Sequence, residues 1–515
     1  MNIVHAPLLF ATLLAGQDAP RPKIDISKET TYVTGPLDKD GYVDYEAALN
    51  DRLGKGITPE KNANVLLWKA FGPKPGGERM PERFFKCLGI EEPPADGAYF
   101  IFLDTFVEAH LKLPRDEIMP TWSERLQASK EPWSEKDHPR IAEWLKINEK
   151  PLAIVVEASK RPNYFNPLVC QHKENGPGLL IGALLPGVQR CRELAAAFTA
   201  RAMLRLGEGK ADEAWQDLLA CHRLARLVSR SATLIEGLVG FAIEQAACNT
   251  DLAYLEHARL TSAQIQNRMK DMQKLPPMRP VADKIDLGER FTYLDAIQMF
   301  HREGLKALGV DVASLTPKQI KALRMINWED LLRKGNRIYD QMAAAMRLKN
   351  RSARQEAFDK IDGFFASAKK NGATNLDDFL KLLSGELPPD KLITEKLGNI
   401  LIGLLAPAAR KVQDSFDRSQ QVQQNLLVAF ALAAYRADHG SYPPKLDDLA
   451  PEYLATVPND LFSGKPLIYR PSEKGYIFYS VGINGKDDGG RFLGDEPPGD
   501  DLGVRMPAAD AKPKK

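Results

Sequence analysis

Cysteine is scarce in this sequence, and its few copies form no recognisable pattern. There are five cysteines, all widely spaced, and no Cys-x-x-Cys pair occurs. An odd number at such spacings does not support a disulfide framework, although one pair among the helical cysteines could form in an oxidising compartment. We interpret all five as small buried hydrophobic residues: Cys87, Cys170, Cys191, Cys221 and Cys248.

An excess of charge of one sign is also absent. Lysine and arginine total 70 against 68 aspartates and glutamates, which leaves a formal net charge of +2. Because no block of basic residues occurs, we predict that the chain does not bind nucleic acid. The hydrophobic content of 44% is typical of a globular protein, and the length of 515 residues predicts about three domains.

Long hydrophobic runs are missing beyond the N-terminus. A membrane-spanning helix needs roughly 18 or more apolar residues, whereas the stretch NILIGLLAPA at 399–408 is about half as long and predicts a buried helix. We therefore predict no integral membrane span and a soluble mature chain. The composition does not indicate an oligomeric state.

The N-terminus has the outline of a secretory signal peptide. Residues 1–16 contain a short apolar stretch that ends in small residues near Ala15, and residues 17–30 form a polar, proline-rich linker. We predict a secreted or periplasmic protein. The alternative is a buried N-terminal segment, because no Lys or Arg precedes the apolar stretch. Gln17 occupies the position at which a lipoprotein needs cysteine, so lipidation is not predicted.

The common catalytic motifs are absent. The sequence has no GxSxG, HExxH, Walker A or GxGxxG motif. The pairs Cys170/His172 and Cys221/His222 contain metal-capable residue types but lack a second pair, so we predict no metal site there. The alternative is a hydrolase whose site lies in the helical body, with four candidate residues that would have to converge: Glu157, His172, Glu244 and His257.

Most of the chain has the pattern of α-helices, which we divide into an N-terminal domain at 31–180 and a scaffold domain at 181–410. The strongest signal lies at 186–228, where apolar residues recur three and four apart and Gly207 and Gly209 divide the segment into two antiparallel helices. This hairpin resembles one tetratricopeptide unit. A peptide-holding groove would need several stacked hairpins, and no recurrence at about 34 residues is present.

The pattern changes in residues 415–505. A helix of about six turns ends at Gly440, and the alternating segments PLIYR and GYIFYSVG predict a β-hairpin. We predict a mainly α protein: an irregular helical body followed by a small α+β domain with one long helix and a short antiparallel sheet. Residues 506–515 are predicted to be a disordered tail.

This C-terminal segment resembles the periplasmic head of the major (G-type) pseudopilin of type II secretion systems. The family pattern includes a helix that ends in Tyr, an Asp-x-Gly-x-Tyr-Pro turn, Pro-x-Asp-x-x-Gly-x-Pro, a tyrosine strand and a Ser-x-Gly loop with a Gly-Gly pair. The resemblance covers about a sixth of the chain. The matching positions are Tyr435, Asp438, Gly440, Tyr442, Pro443, Pro458, Asp460, Gly464, Pro466, Tyr469, Ser480, Gly482, Gly485, Gly489 and Gly490.

The resemblance implies a structural calcium ion in the loop after the tyrosine strand. The implied side-chain ligands are Asn484, Asp487, Asp488, Asp500 and Asp501, together with backbone carbonyls of the Ser480–Ile483 turn. Such oxygen atoms are the ligands that Ca²⁺ prefers. Asn484 stands where the family has Asp, which predicts a lower affinity. The alternative is a solvated acidic loop whose glycines serve turns with positive φ.

Pseudopilins begin with a Gly-Phe motif that ends in Glu and is followed by a long apolar anchoring helix. The one similar stretch in this sequence, GFAIE at 240–244, lies mid-chain, and no such apolar helix follows it. Filament assembly is therefore not predicted. We expect an exported, non-catalytic interaction or structural protein, in which a helical scaffold contacts a protein partner and carries a pseudopilin-like, calcium-stabilised module.

Overall fold

The computed structural model describes residues 23–77, 79–170, 178–304, 314–370, 375–385 and 389–507. The predicted signal peptide, the first part of the linker and nearly all of the predicted tail lie outside these residues. Within them the chain is mainly α-helical, with one small antiparallel sheet near the C-terminus. The fold class predicted from the sequence is confirmed.

The N-terminal helices are short and punctuated by turns. They are α1 (Tyr45–Gly54), α2 (Ala63–Phe71) and α3 (Glu82–Leu88). The Thr58-Pro59 pair suggests a helix start, but α2 begins four residues after Pro59 with Asn62 as its cap. Asn62 also bonds to the backbone N–H and carbonyl of Phe165, and this distant pairing fixes the turn.

The segment at 98–113, which could be strand or helix and whose length favours a helix, is only partly helical. The chain is extended up to Phe102, and short helical turns follow at Leu103–Thr105 and Phe106–His110. The N–H of Phe100 bonds to the carbonyl of Ala70, and its ring packs against Trp144. These tertiary contacts satisfy the extended backbone. Three helices follow: α4 (Ile118–Gln127), α5 (Pro139–Ile147) and α6 (Glu149–Ser159).

Four longer helices form the centre of the first core. They are α7 (Pro186–Gly207), α8 (Ala211–Val228), α9 (Leu234–His257) and α10 (Ser262–Gln273). Helices α7 and α8 form the predicted hairpin, and Gly209 turns the chain between them at φ 78°. Helix α9 packs against both of them, so that α8 is buried along most of its length.

A second core lies among the later helices. They are α11 (Arg290–Glu303), α12 (Pro317–Arg324), α13 (Trp328–Arg347), α14 (Arg351–Lys370), α15 (Leu376–Ser384) and α16 (Asp390–Leu405). The Thr316-Pro317 pair predicts a helix start, and α12 begins there, with Thr316 and Gln319 capping each other. Ile24, Tyr45 and Leu168, far earlier in the chain, also pack into this core.

The C-terminal module consists of helix α17 (Ala409–His439) and strands β1 (Ile468–Pro471), β2 (Tyr476–Ser480) and β3 (Leu502–Met506). The helix ends at Gly440, which adopts the left-handed conformation. The predicted β1–β2 hairpin is present. Strand β3, which the sequence did not predict, pairs antiparallel with the other edge of β2.

The C-terminal module shares its core with the helical body. Helix α17 packs against α9 and α10 on one side and β3 on another. The ring of Phe430 lies 5.8 Å from that of Trp215, and the same core continues to Phe478 and Val504 of the sheet. This core therefore draws residues from three of the predicted segments: 31–180, 181–410 and 415–505.

One helical stretch of the described chain, Asp390–His439, has the length and hydropathy of a membrane-spanning helix. It comprises α16 and α17 with Pro407 between them, and 44% of its most apolar window is buried inside the protein. A single stretch of this kind is weak evidence, because core helices have the same composition. The described residues contain no series of membrane spans.

Candidate functional site

The loop after β2 needs glycine because two chain segments meet there. Gly482 has φ 67°, and a Cβ atom at this position would lie 2.0 Å from the carbonyl oxygen of Asp500. No side chain fits at that distance. The glycine therefore allows the segment after β2 to run directly against the segment that leads into β3.

Four of the five predicted ligand residues meet where these segments touch. The N–H of Asn484 donates to Asp500 Oδ2 at 2.8 Å, and the N–H of Asp500 donates to Asp488 Oδ2 at 2.8 Å. The amide group of Asn484 also donates to Asp488 Oδ2 at 3.1 Å. Asp501 accepts from the N–H groups of Asp488 and Gly490 at 3.3 and 2.8 Å. Carboxylates therefore join the two segments.

Asp487, the fifth predicted ligand, lies apart from the other four. Its Oδ1 accepts from the hydroxyl of Tyr479 at 3.0 Å and from the N–H of Gly489 at 2.8 Å. The Tyr479 hydroxyl accepts in turn from Arg470 at 2.8 Å. Asp487 thus links the loop to the outer face of the β1–β2 hairpin.

The charge of the loop carboxylates follows from these contacts. The N–H of Asp500 and the amide of Asn484 hold the pKa of Asp488 below its usual value. Burial raises the pKa of Asp501, whose side chain is almost fully enclosed. The oxygen-only donor set is of the kind that calcium takes. No three carboxylates of this loop have oxygens within 4.8 Å of one another, so an ion would have to draw them together.

Asp460 is the residue of this region whose role the sequence left unassigned. Its buried carboxylate accepts from Ser480 Oγ at 2.6 Å, from the N–H of Val481 at 3.2 Å and from the N–H of Phe462 at 2.9 Å. It therefore fastens the turn before β1 to the end of β2. The only sequence signal was its place among the positions that carry the resemblance.

Arg351 of α14 joins the loop to the helical body. Its guanidinium lies 4.6 Å from the ring centroid of Phe462 and 3.1 Å from a carboxylate oxygen of Asp417. It also donates to the carbonyl of Ile483 at 3.4 Å. One of the carbonyls that the resemblance implies as a calcium ligand is thus in contact with a cation of the body.

The four hydrolase candidates do not come together in the described structure. Glu157 is exposed and pairs with Lys160, and His257 is exposed at the end of α9. Glu244 is buried in the same helix, thirteen residues earlier, which corresponds to about 20 Å along the axis. His172 lies outside the described residues.

Glu244 instead belongs to a buried cluster of ionisable groups between α8 and α9. Nδ1 of His222 lies 3.0 Å from Glu244 Oε2, and its Nε2 lies 2.6 Å from Asp251 Oδ2. Arg226, one turn after His222, also contacts Glu244 and reaches Gln423 of α17 at 3.2 Å. Cys248 lies 3.9 Å from Glu244 Oε1. The sequence pattern missed this cluster, because its members belong to different helices.

The cluster is balanced in charge, and its members His222, Glu244 and Asp251 are buried from solvent. Burial opposes a charge on His222, but Glu244 and Asp251 outweigh it and raise the pKa of the imidazole to about 9. Burial likewise opposes a charge on Glu244, yet His222 and Arg226 lower its pKa to about 2. Since both ring nitrogens of His222 bond to carboxylates, the arrangement is an ion cluster within the core.

Ligand atoms of His222, Glu244 and Cys248 lie within 4.8 Å of one another, the one such group among the described His, Cys, Asp and Glu residues. The thiols of Cys221 and Cys248 are held protonated, because burial raises their pKa values well above normal. Both ring nitrogens of His222 already bond to carboxylates, so the residues as arranged leave no free imidazole nitrogen for a metal ion. All five cysteines are free thiols in this structure, and four are buried as predicted. The prediction is wrong for Cys87, which is exposed on the short helix α3.

Comparisons with known proteins find no match for this chain. No protein-family model matches the chain, and no significant match is found among curated proteins or solved structures.

Proposed function

We propose that this chain is an exported, non-catalytic interaction or structural protein. Its helical body is a scaffold, and its C-terminal module is similar to the head of a type II secretion pseudopilin. The module contacts a protein partner in the cell envelope. A calcium ion stabilises the loop between β2 and β3.

The observation that carries this proposal is the pairing of positions on which the resemblance is based. Ser480 bonds to Asp460 at 2.6 Å, and the hydroxyl of Tyr469 bonds to the carbonyl of Pro443 at 2.9 Å. Residues that match a family pattern by spacing alone need not touch one another. Their contacts support a common arrangement of helix, turn, hairpin and loop.

The attachment of the module supports a scaffold rather than a filament subunit. A pilus head must be free to pack against copies of itself, whereas α17 here is enclosed by α9, α10 and the sheet. The ion pair between Arg351 and Asp417 and the contact of Arg351 with Phe462 hold the module further. The exposed part of the loop, which includes Leu493, is available to a partner.

The calcium part of the proposal assigns Asn484, Asp488, Asp500 and Asp501 to the ion. Three carboxylates and one amide oxygen supply hard, partly charged ligands. In the described structure, backbone N–H groups bond to the carboxylates of this set. A cation would compensate the negative charge that these dipoles offset only in part.

Export is tested by cell fractionation of the full chain and of a variant without residues 1–16. We expect the full chain in the envelope or extracellular fraction and the truncated chain in the cytosol. Recovery of both chains in the cytosol would contradict export.

The partner contact is tested with a photo-crosslinking amino acid at Leu493, which is 71% exposed in the loop before β3. Met119, which is 72% exposed on α4, provides the matched control. We expect position 493 to cross-link to a pseudopilus component of a type II secretion system in intact cells, and position 119 not to do so. Equal cross-linking from both positions, or none from position 493, would contradict a role of the module in partner binding.

A further inference from the structure

A basic cleft lies beside the C-terminal end of α8, between the end of α6 and the end of α10. Its volume is about 320 Å³. Four cationic side chains line it without an ion pair to any described carboxylate: Arg161, Arg223, Arg230 and Lys274. Asp271 is its one acidic lining residue, and the indole N–H of Trp215 already donates to that carboxylate at 3.1 Å. The cleft therefore concentrates positive charge in a chain that is otherwise close to neutral.

Two arginines of this cleft, Arg161 and Arg230, are held in place by backbone carbonyls. Arg161 donates to the carbonyls of Pro59 and Asn62 at 2.7 and 2.8 Å, and Arg230 donates to that of Pro162 at 2.5 Å. Carbonyls fix the guanidinium groups but leave their charge uncompensated. Burial lowers the pKa values of Arg223 and Arg230, because both cations have lost part of their hydration.

Arg226 supplies a second, independent observation. This residue lines the cleft, is only 5% exposed and has no hydrogen-bond partner for its Nε. Its other nitrogens bond to Glu244, Gln423 and the carbonyl of His222. A buried N–H donor without a partner costs free energy, so Arg226 adds to the cleft a lining residue with an unused donor.

A second cleft, of about 280 Å³, adjoins the first at Arg230. Apart from Arg230, its lining is apolar, aromatic or neutral and polar, except for Arg279, which pairs with Asp283 at 3.4 Å. Neutral polar groups such as the amide of Asn163 bond to hydroxyl groups. The two clefts together thus offer an end with unpaired cations and an end whose neutral groups surround one paired cation.

We propose that the two clefts bind a phosphate monoester of a small polyhydroxylated molecule. The phosphate occupies the basic cleft, and its hydroxyl-bearing body lies in the second cleft. A planar guanidinium matches two phosphate oxygens, and a dianion balances the unpaired cations better than a single carboxylate does. The site belongs to the helical body and stands independently of the pseudopilin-like module.

The binding of inorganic phosphate and of glucose 6-phosphate to the full chain is measured by isothermal titration calorimetry at low ionic strength. We expect saturable binding of both probes and a lower Kd for the ester. Absence of saturable phosphate binding beyond a chloride control at equal ionic strength would overturn the proposal. Equal Kd values for the two probes would overturn the role of the second cleft.

The double variant Arg223→Gln/Arg230→Gln is expected to raise the Kd for phosphate by about tenfold or more, since two charged hydrogen-bond donors are lost. The matched control Arg259→Gln/Arg337→Gln removes two exposed charges elsewhere and should leave the Kd within about twofold. The single variant Arg223→Lys keeps the positive charge but removes the planar guanidinium, so we expect it to bind phosphate more weakly. This variant tests the proposal even if the double variant fails to fold. An unchanged Kd in Arg223→Lys would refute guanidinium recognition.

Discussion

Nε2 of His222 lies 2.6 Å from a carboxylate oxygen of Asp251, and neither side chain reaches solvent. The other ring nitrogen bonds to Glu244, so a protonated imidazole is held between two carboxylates in the core of the helical body. Charged side chains in a protein core are stable only while each of their partners keeps the opposite charge. The stability of the whole body should therefore report on this one histidine.

The first prediction concerns pH. The pKa of His222 is raised from 6.5 to about 9, so its contribution is fully present below pH 6.5 and is lost as the pH rises through 9. The shift corresponds to about 3 kcal/mol in all, of which about 2 kcal/mol is lost by pH 8. Urea unfolding of the wild type and of His222→Gln at pH 6, 7 and 8 should show a stability difference that shrinks with pH.

Lys284 acts in the opposite direction above pH 8, so the wild type alone does not isolate the contribution of His222. Burial lowers the pKa of Lys284 to about 8, so this group adds stability between pH 8 and 10.5. Its effect is the same in both proteins and cancels in the difference between them. A difference that stays constant from pH 6 to 8 would mean that His222 is neutral in the folded state.

The second prediction concerns Glu244. Glu244→Gln keeps the size of the side chain but leaves His222 and Arg226 without their shared counter-charge. Breaking a buried pair in this way costs about 3–5 kcal/mol. Glu157→Gln on the exposed surface of α6 is the control, and we expect less than about 0.5 kcal/mol for it. The free energy of unfolding of both variants is measured by chemical denaturation. A similarly small loss in both would show that the cluster contributes little to stability.

The third prediction concerns the glycine turn after β2. Gly482→Ala places a methyl group against the carbonyl of Asp500 and forces a non-glycine residue to positive φ. The backbone alone costs about 1–3 kcal/mol, and the contact adds to it. Gly485 has nearly the same φ, 69°, but open space around its Cβ position, so Gly485→Ala isolates the backbone effect. Equal losses of stability in the two variants would mean that Asp500 moves aside freely.

The fourth prediction concerns calcium. Calcium at ten times its Kd stabilises the folded state by about 1.4 kcal/mol, so chelator should lower the Tm of the full chain. Asp488→Ala should abolish this difference, because Asp488 contacts both Asn484 and the Asp500 backbone. Asp447→Ala, in the exposed turn after α17, should retain it. Differential scanning calorimetry that finds the wild type indifferent to millimolar calcium would refute the assignment.

The sequence by itself determined the class of the fold and several of its local details. The helical periodicity of residues 186–228, the stop at Gly440 and the alternation in PLIYR and GYIFYSVG each depend on neighbours a few residues away. The helices and the hairpin appear where these patterns predicted them. The same holds for the meeting of Asn484 with Asp488, which are close in the chain.

The tertiary structure decided everything that joins distant segments. Strand β3 forms because β2 offers a free edge, and residues 98–102 are extended because Ala70 and Asn148 satisfy their N–H groups. His222 and Asp251 come together only when α8 packs on α9, and the basic cleft requires α6 and α10 as well. Periodicity specifies which face of a helix is buried, but not which helix covers it. Contacts of that kind arise from packing, and a pattern of neighbouring residues does not contain them.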